Sequence, residues 1–310
     1  MNTLQPHQPV LLDEVVQVLD PKRGDSYLDG TAGYGGHAVA IMHRVGPEGR
    51  IILVDRDARA IQQLAERFGE AAEIMHSNFL RAANRLLEDG TLVDMILLDL
   101  GVSSPQIDNA ERGFSFAQDG PLDMRMDQSQ SVTAADVVNR YNQRELERII
   151  REFGEEPKAR AVAKAIVEKR PFATTAKLAQ VVRRAALGGG DIDPATRTFQ
   201  AIRIEVNSEL DQLREALPIL TKILSPGGRI AVISFHSLED RVVKQFFDRE
   251  SRDCICPPKQ PICTCGHVAS LFKITEKPLT GTPSEVVINP RARSAKLRAA
   301  EKINKNKRRD

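Results

Sequence analysis

The chain has 310 residues, 41% of them apolar and 28% charged, an ordinary balance for a globular protein long enough to bury a substantial core. Its 44 basic and 42 acidic side chains leave a net charge of +2, so bulk charge selects no class of partner. The start, Met1-Asn2-Thr3-Leu4-Gln5-Pro6-His7, lacks the basic-then-apolar order of a secretion signal, and no segment reaches the apolar length of a membrane span. The four cysteines are confined to Cys254–Cys265, which argues against a secreted disulfide scaffold; a cytoplasmic location is expected.

Hydrophobic spacing over Pro9 to Leu19 predicts a short amphipathic helix, and Ser26 to Asp29 a first strand. The strand breaks into Asp29-Gly30-Thr31-Ala32-Gly33-Tyr34-Gly35-Gly36-His37, with four glycines in seven positions before a helix from about His37 to His43. Glycine permits φ > 0 and lets a ligand approach bare backbone, while the helix N-terminus offers its amides to the same place. A P-loop would end in Gly-Lys-Ser/Thr, whereas Gly36 is followed by His37-Ala38. A dinucleotide fingerprint would read Gly-x-Gly-x-x-Gly, whereas the spacing here is Gly30-x-x-Gly33-x-Gly35-Gly36. An acidic strand end before a glycine loop suits S-adenosylmethionine, with Asp29 facing its methionine ammonium and Gly33 in the bare stretch. A structural turn is the alternative for the loop alone.

The apolar run Arg50 to Asp55 reads as a buried parallel strand ending in a carboxylate, placed where an acidic residue accepts from ribose hydroxyls in nucleotide-binding α/β folds. Asp57 to Phe68 is helical, Ala72 to His76 is strand three, a helix follows near Leu80 to Leu87, and Val93 to Leu98 is strand four, closed by Asp99. Strands alternating with helices at this interval predict a parallel sheet covered on both faces, with Asp29, Asp55 and Asp99 at the strand ends where ligands bind. Phe79, just after strand three, either stacks on adenine or belongs to the core.

After Asp99 the rhythm breaks. The spans 100–106 and 111–126 read as loops, the second as a lid or substrate loop because its Phe and Met residues argue against disorder. Four helices follow at Ala134 to Val138, Gln143 to Phe153, Pro157 to Lys169 and Thr175 to Ala186, which predicts an inserted helical subdomain. Its basic residues, among them Lys158, Arg160, Arg170 and Arg183, face either phosphates or solvent. Gly188 to Asp191 is a flexible break, after which Pro194 to Leu224 is helical, 225–228 turns, and Arg229 to Ser234 is strand five. His236 lies at the carboxyl edge of that strand as a cap or a substrate contact, on a helix running to about Arg249. Phe272 to Lys277 and Ala295 to Ile303 are the last strands. The expected division is 1–108, 109–207 and 208–310. From Arg291 to Asp310 nine basic residues face two acidic ones, a footprint suited to nucleic acid. The cysteines run Cys254-x-Cys256 and, six residues on, Cys263-x-Cys265. Four thiolates could hold structural zinc, yet these gaps depart from common zinc spacing, and no metal ligand is assigned from spacing alone.

Taken together, several blocks resemble one family, the RsmH (MraW) ribosomal RNA small-subunit methyltransferases. They are His7-x-Pro9-Val10-Leu11-Leu12, the glycine loop, Asp55-Arg56-Asp57, Leu98-Asp99-Leu100-Gly101-Val102-Ser103-Ser104-Pro105-Gln106, Glu111-Arg112-Gly113-Phe114-Ser115-Phe116, Pro121-Leu122-Asp123-Met124-Arg125-Met126, Pro194-Ala195-Thr196-Arg197-Thr198-Phe199-Gln200, Ser234-Phe235-His236-Ser237-Leu238-Glu239-Asp240-Arg241 and Asn289-Pro290-Arg291-Ala292-Arg293-Ser294. The resemblance implies a Rossmann-like class I methyltransferase sheet of seven strands with a helical insertion. It further implies methyl transfer from S-adenosylmethionine to N4 of a cytidine in the decoding region of 16S ribosomal RNA, within the small subunit. Carried over by motif, cofactor contacts fall on Gly35, Gly36, His37, Asp55, Phe79, Asp99 and Gln106. DNA amino-methyltransferases carry Asp/Asn/Ser-Pro-Pro-Tyr/Phe where this chain has Asp99-Leu-Gly-Val-Ser-Ser-Pro105-Gln106, so the group contacting the amino nitrogen is open. Asp99 is expected to serve the cofactor first, with Ser103, Ser104 and His236 shaping the cytidine pocket. A DNA or protein methyltransferase, or a non-catalytic RNA-binding assembly factor, remains an alternative. The oligomeric state is open, a homodimer included.

Overall fold

A computed structural model describes residues 9–186, 193–258, 260 and 262–304, so the predicted glycine break at 188–191 and the last basic residues of the tail lie outside the described residues. The chain forms two compact units, Met1–Gly101 with Gln212–Asp310, and Val102–Asp211.

The first unit opens with α1 (Leu12–Leu19), β1 (Ser26–Asp29), α2 (Gly36–Val45), β2 (Arg50–Asp55), α3 (Ala58–Phe68), β3 (Glu73–His76), α4 (Phe79–Glu88) and β4 (Val93–Asp99). The carboxylate and amide caps Asp57 and Asn78 start α3 and α4 by accepting the Arg59 and Arg81 amides at 3.0 and 2.9 Å, which fixes where each strand-to-helix turn ends. In β4 the side chains alternate between two cores: Met95 and Leu97 pack with Tyr27, Ile51, Leu53 and the apolar faces of α1 to α3, whereas Ile96 and Leu98 pack with Leu28, Val54 and α4. A sheet covered on both sides needs apolar residues at both parities, which is why its strands read as unbroken apolar runs.

The second unit contains α5 (Ser104–Asp108), followed by α6 (Ala134–Arg140), α7 (Gln143–Glu152), α8 (Ala159–Lys169), α9 (Thr175–Ala185) and α10 (Pro194–Asn207), the last five around one apolar core that includes Leu146, Ile150, Ile166 and Leu178. One of the two predicted loops differs here. Part of 100–106 is helical, since Pro105 suits a first turn and Gln106 Oε1 accepts the Ser103 amide at 3.0 Å. The segment expected as a lid or substrate loop is held to its own unit: Leu122, Met124 and Met126 are buried, Asn207 accepts the Met126 amide at 2.9 Å and donates to the Met124 carbonyl at 2.8 Å, and buried Arg112 donates to the Arg125 and Met126 carbonyls.

From α11 (Glu209–Ile223) the chain returns to the first unit through β5 (Leu224–Ser234), α12 (Ser237–Glu250), β6 (Leu271–Lys273), α13 (Pro283–Ile288) and β7 (Lys296–Lys302). The predicted turn at 225–228 lies inside β5 as an irregularity between the Val93–Leu224 and Met95–Arg229 pairings, with Gly227 at φ +86°. The sheet order is β3-β2-β1-β4-β5-β7-β6, parallel through β5, with β7 antiparallel between β5 and β6. Strand order reverses between β1 and β4, the place where a doubly wound sheet opens a crevice beyond its strand ends.

Candidate functional site

Asp29 and Asp99 end the two strands that flank this reversal. Thr31 ties them together: its amide donates to Asp29 Oδ1 at 3.2 Å, and its hydroxyl oxygen accepts the Asp99 amide at 2.6 Å. Asp29 is 2% exposed and also accepts the Tyr27 hydroxyl at 2.9 Å. Burial raises its carboxyl to about 7, with hydrogen bonds from Tyr27 and Thr31 opposing the rise and the charge of Asp55 adding to it. Burial pushes Asp99 well above the usual carboxylate range, and repulsion from Asp29 and Glu239 adds to the shift. One Asp99 oxygen, Oδ1, is buried with no hydrogen-bond partner.

His37 lies in the first turn of α2, 6% exposed. Its Nε2 is 2.9 Å from the Val10 carbonyl, an arrangement that puts the proton on Nε2 and leaves Nδ1 as an acceptor, 3.8 Å from Asp99 Oδ2. Burial lowers its pKa to about 4, so the ring is neutral at physiological pH. Among the described residues, no lysine or arginine forms an ion pair with Asp29 or Asp99.

The glycine loop is shaped chiefly by the protein itself. Asp55 accepts the Gly33 amide on Oδ2 and the Asp57 amide on Oδ1, each at 2.8 Å, so the end of β2 holds both the loop and the start of α3. Gly35 adopts φ +75°, and a Cβ there would come within 2.4 Å of the Phe68 ring. A Cβ on Gly36 would meet Pro9 at 2.5 Å. Gly33, at φ +53°, has only the Thr31 carbonyl within 4 Å of such a Cβ and is the glycine that presents open backbone.

Other expected contacts fall differently. Phe79 opens α4 and is 6% exposed in the core beside Leu28, Val54 and Leu98, which leaves little ring face for an adenine. His236 caps α12: Nδ1 accepts the Glu239 amide at 3.4 Å, and Glu239 in return accepts the Phe235 and His236 amides on Oε2 at 2.9 and 3.3 Å. Glu239, 2% exposed, is a member of the carboxylate group that the sequence reading did not assign; its signal was the capping-box spacing from His236. Ser103, Ser104 and Gln106 belong to the second unit, where Gln106 is buried and holds the Ser103 amide. The basic footprint is partly used up internally. Arg298 and Lys296 pair with Asp240 at 2.6 and 3.5 Å, and Lys302 donates to the Lys222 and Leu224 carbonyls. In the helical unit, Arg170 donates to the Val138 and Tyr141 carbonyls and Arg183 pairs with Asp193.

A seven-stranded sheet in this order, with its penultimate position filled by an antiparallel strand and acidic residues at the β1 and β4 ends, is the Rossmann-like class I methyltransferase architecture. The profile of the MraW methylase family matches residues 4–303, and the chain belongs to that family. A "Ribosomal RNA small subunit methyltransferase H" from Syntrophotalea carbinolica is 51% identical over 96% of this chain and 98% of its own length. Another of the same name from Heliobacterium mobile is 47% identical over 96% of this chain and 99% of its own. Among solved structures, an rRNA methylase from Streptococcus thermophilus aligns over 94% of this chain and 93% of its own at 10% identity and a TM-score of 0.41, a likeness too loose to bear on the site.

Proposed function

We propose that this protein transfers a methyl group from S-adenosylmethionine to N4 of a cytidine in the decoding region of 16S ribosomal RNA, acting on the small ribosomal subunit. The observation that carries the site assignment is the pair of strand-end carboxylates, Asp29 buried and Asp99 with one oxygen buried and unpartnered, neither of them ion-paired to a lysine or arginine among the described residues. Uncompensated buried carboxylates are costly unless a cation or a donor arrives to meet them. The cofactor fits that demand, since it is cationic at its ammonium and sulfonium groups and supplies, when bound, an electrophilic methyl.

Asp29 and Asp99 would hold the cationic part and the open backbone at Gly33 would admit it, while Asp55 keeps the loop in place and retains acceptor capacity for hydroxyls. A cytosine amino nitrogen is a poor nucleophile because its lone pair is delocalised into the ring, so the protein's task is to orient it and accept its N–H hydrogen bond. Asp99 Oδ1 and the neutral Nδ1 of His37 are acceptors at the reversal point suited to that task.

The test is incubation with methyl-tritiated S-adenosylmethionine and, separately, small ribosomal subunits, protein-free 16S rRNA and DNA, followed by nucleoside analysis. Label is expected as N4-methylcytidine in the decoding region, from the subunit or the free RNA. Label confined to DNA or to ribosomal protein sinks the reading.

A further inference from the structure

The reaction leaves the four cysteines unused. They lie in the connection between α12 and β6, residues 251–270, which contains neither helix nor strand among its described residues and buries only Ala269. A connection this long with no apolar core of its own needs another means of holding one shape. The four Sγ atoms all lie within 4.8 Å of one another. Cys254 and Cys263 are 3.5 Å apart, Cys263 and Cys265 3.6 Å, and Cys254 and Cys265 3.9 Å. A regular tetrahedron with Zn–S bonds of about 2.3 Å has sulfur–sulfur edges of roughly 3.8 Å, and the observed separations scatter around that edge. They are well beyond a disulfide bond of about 2.05 Å.

The surrounding backbone matches coordinated sulfur. The Cys256 amide donates to Cys254 Sγ at 3.4 Å and the Ile255 amide to Cys265 Sγ at 3.5 Å, the kind of donor that stabilises a ligating thiolate. Gly266, at φ +59°, turns the chain immediately after Cys265. At the base of the connection, the Ala269 amide donates to Asp253 Oδ1 at 3.2 Å and the Ser270 amide to the Glu250 carbonyl at 2.8 Å, so both strands of the loop leave α12 and β6 in fixed directions. The short Cys-x-Cys gaps, unlike common zinc spacing, still converge because the two pairs approach from opposite arms of the loop.

We propose that Cys254, Cys256, Cys263 and Cys265 form a tetrathiolate site for a single zinc ion that fixes the α12–β6 connection. An all-sulfur tetrahedral set suits zinc or iron, and the sulfurs here are exposed or half-exposed, which favours the redox-inert ion. Four protein ligands fill the coordination shell, so the role is structural.

Elemental analysis of the full-length protein, purified under reducing conditions without chelator or a metal column, is expected to give about one zinc per chain. Titration with a mercurial should release it in step with cysteine modification. Cobalt(II) exchanged into the site should show the visible bands of tetrahedral thiolate coordination, and Cys263→Ser/Cys265→Ser should lose both metal and bands. If that variant fails to fold, the wild-type cobalt spectrum and mercurial release decide alone. A chain that takes up neither zinc nor cobalt, or disulfides among these cysteines in the freshly purified protein, overturns the site. Iron at the same stoichiometry overturns the choice of ion.

Discussion

The helical unit and the β1–β4 sheet edge of the first unit treat buried charge in opposite ways. In the helical unit the buried or nearly buried carboxylates among the described residues have arginines: Glu209 is held by Arg203 at 2.9 and 3.1 Å, Asp123 by Arg125 at 2.9 and 2.8 Å, and Glu156 by Arg197 at 3.5 Å. At the sheet edge of the first unit Asp29 and Asp99 have no such partner among the described residues, and both carboxyls are raised in pKa where that of Asp123 is lowered. Paired charges are part of a fold's architecture, whereas uncompensated ones clustered at a strand-order reversal mark a place kept for a ligand. The contrast also separates costs: the helical unit loses stability when a pair is broken, and the sheet edge should gain it when a charge is removed.

The largest effect is expected at Asp99. Asp99→Asn should lower kcat/KM by roughly 10²–10⁴-fold if the carboxylate accepts the amino proton's hydrogen bond or holds the cofactor. Calorimetry on the same variant divides these roles: lost cofactor affinity assigns Asp99 to the donor, and intact affinity with lost turnover assigns it to the cytidine. A loss under about tenfold breaks the site assignment.

Next in size is the helical unit. Glu209→Gln takes from the mostly buried Arg203 its bidentate carboxylate partner and should cost about 3 kcal/mol in urea unfolding, while Arg203→Met/Glu209→Leu should recover most of that loss. A single variant as stable as wild type would mean that this pairing contributes nothing.

Asp29→Asn should act in the opposite direction. With its carboxyl near 7 in the folded chain and near 4 when unfolded, the folded state binds more protons between those values, so its contribution to stability falls as pH rises through that window. At pH 8 the variant is expected to exceed wild type by roughly 1–3 kcal/mol, with the advantage gone by about pH 4. Urea midpoints measured across that range check both sign and window; a deficit at pH 8 refutes the uncompensated charge.

The smallest effect is a proton linkage. A cation bound against Asp29 and Asp99 favours their ionised forms, so cofactor binding at neutral pH should release protons and weaken as pH falls, by at most about tenfold per unit for each proton. Calorimetry in buffers of different ionisation enthalpy reads the released protons directly, and a zero count removes the carboxylates from the binding step.

Much of this site was legible in the chain. Buried parallel strands need apolar residues at both parities and a turn beyond, so Ser26–Asp29, Arg50–Asp55 and Val93–Asp99 announce themselves, and each ends in the carboxylate found at the sheet edge. The short helix at Ser104, the irregularity within β5 and the helix α13 were not legible, because pairing register and capping decide them over too few residues for periodicity to show.

The sequence alone determined the alternation of strands and helices, the three strand-end aspartates and the membership of a methyltransferase family, since each rests on local pattern or on ordered motifs. Only the tertiary structure decided that β1 and β4 are neighbours, that the Gly35 and Gly36 faces pack against Phe68 and Pro9 while Gly33 stays open, that Glu239 joins the carboxylates, and that two Cys-x-Cys pairs converge. The physical reason is distance along the chain. Spacing encodes which face of one element a residue occupies, but burial, charge and coordination at a point are set by residues tens or hundreds of positions apart, and only the packed sheet brings those together.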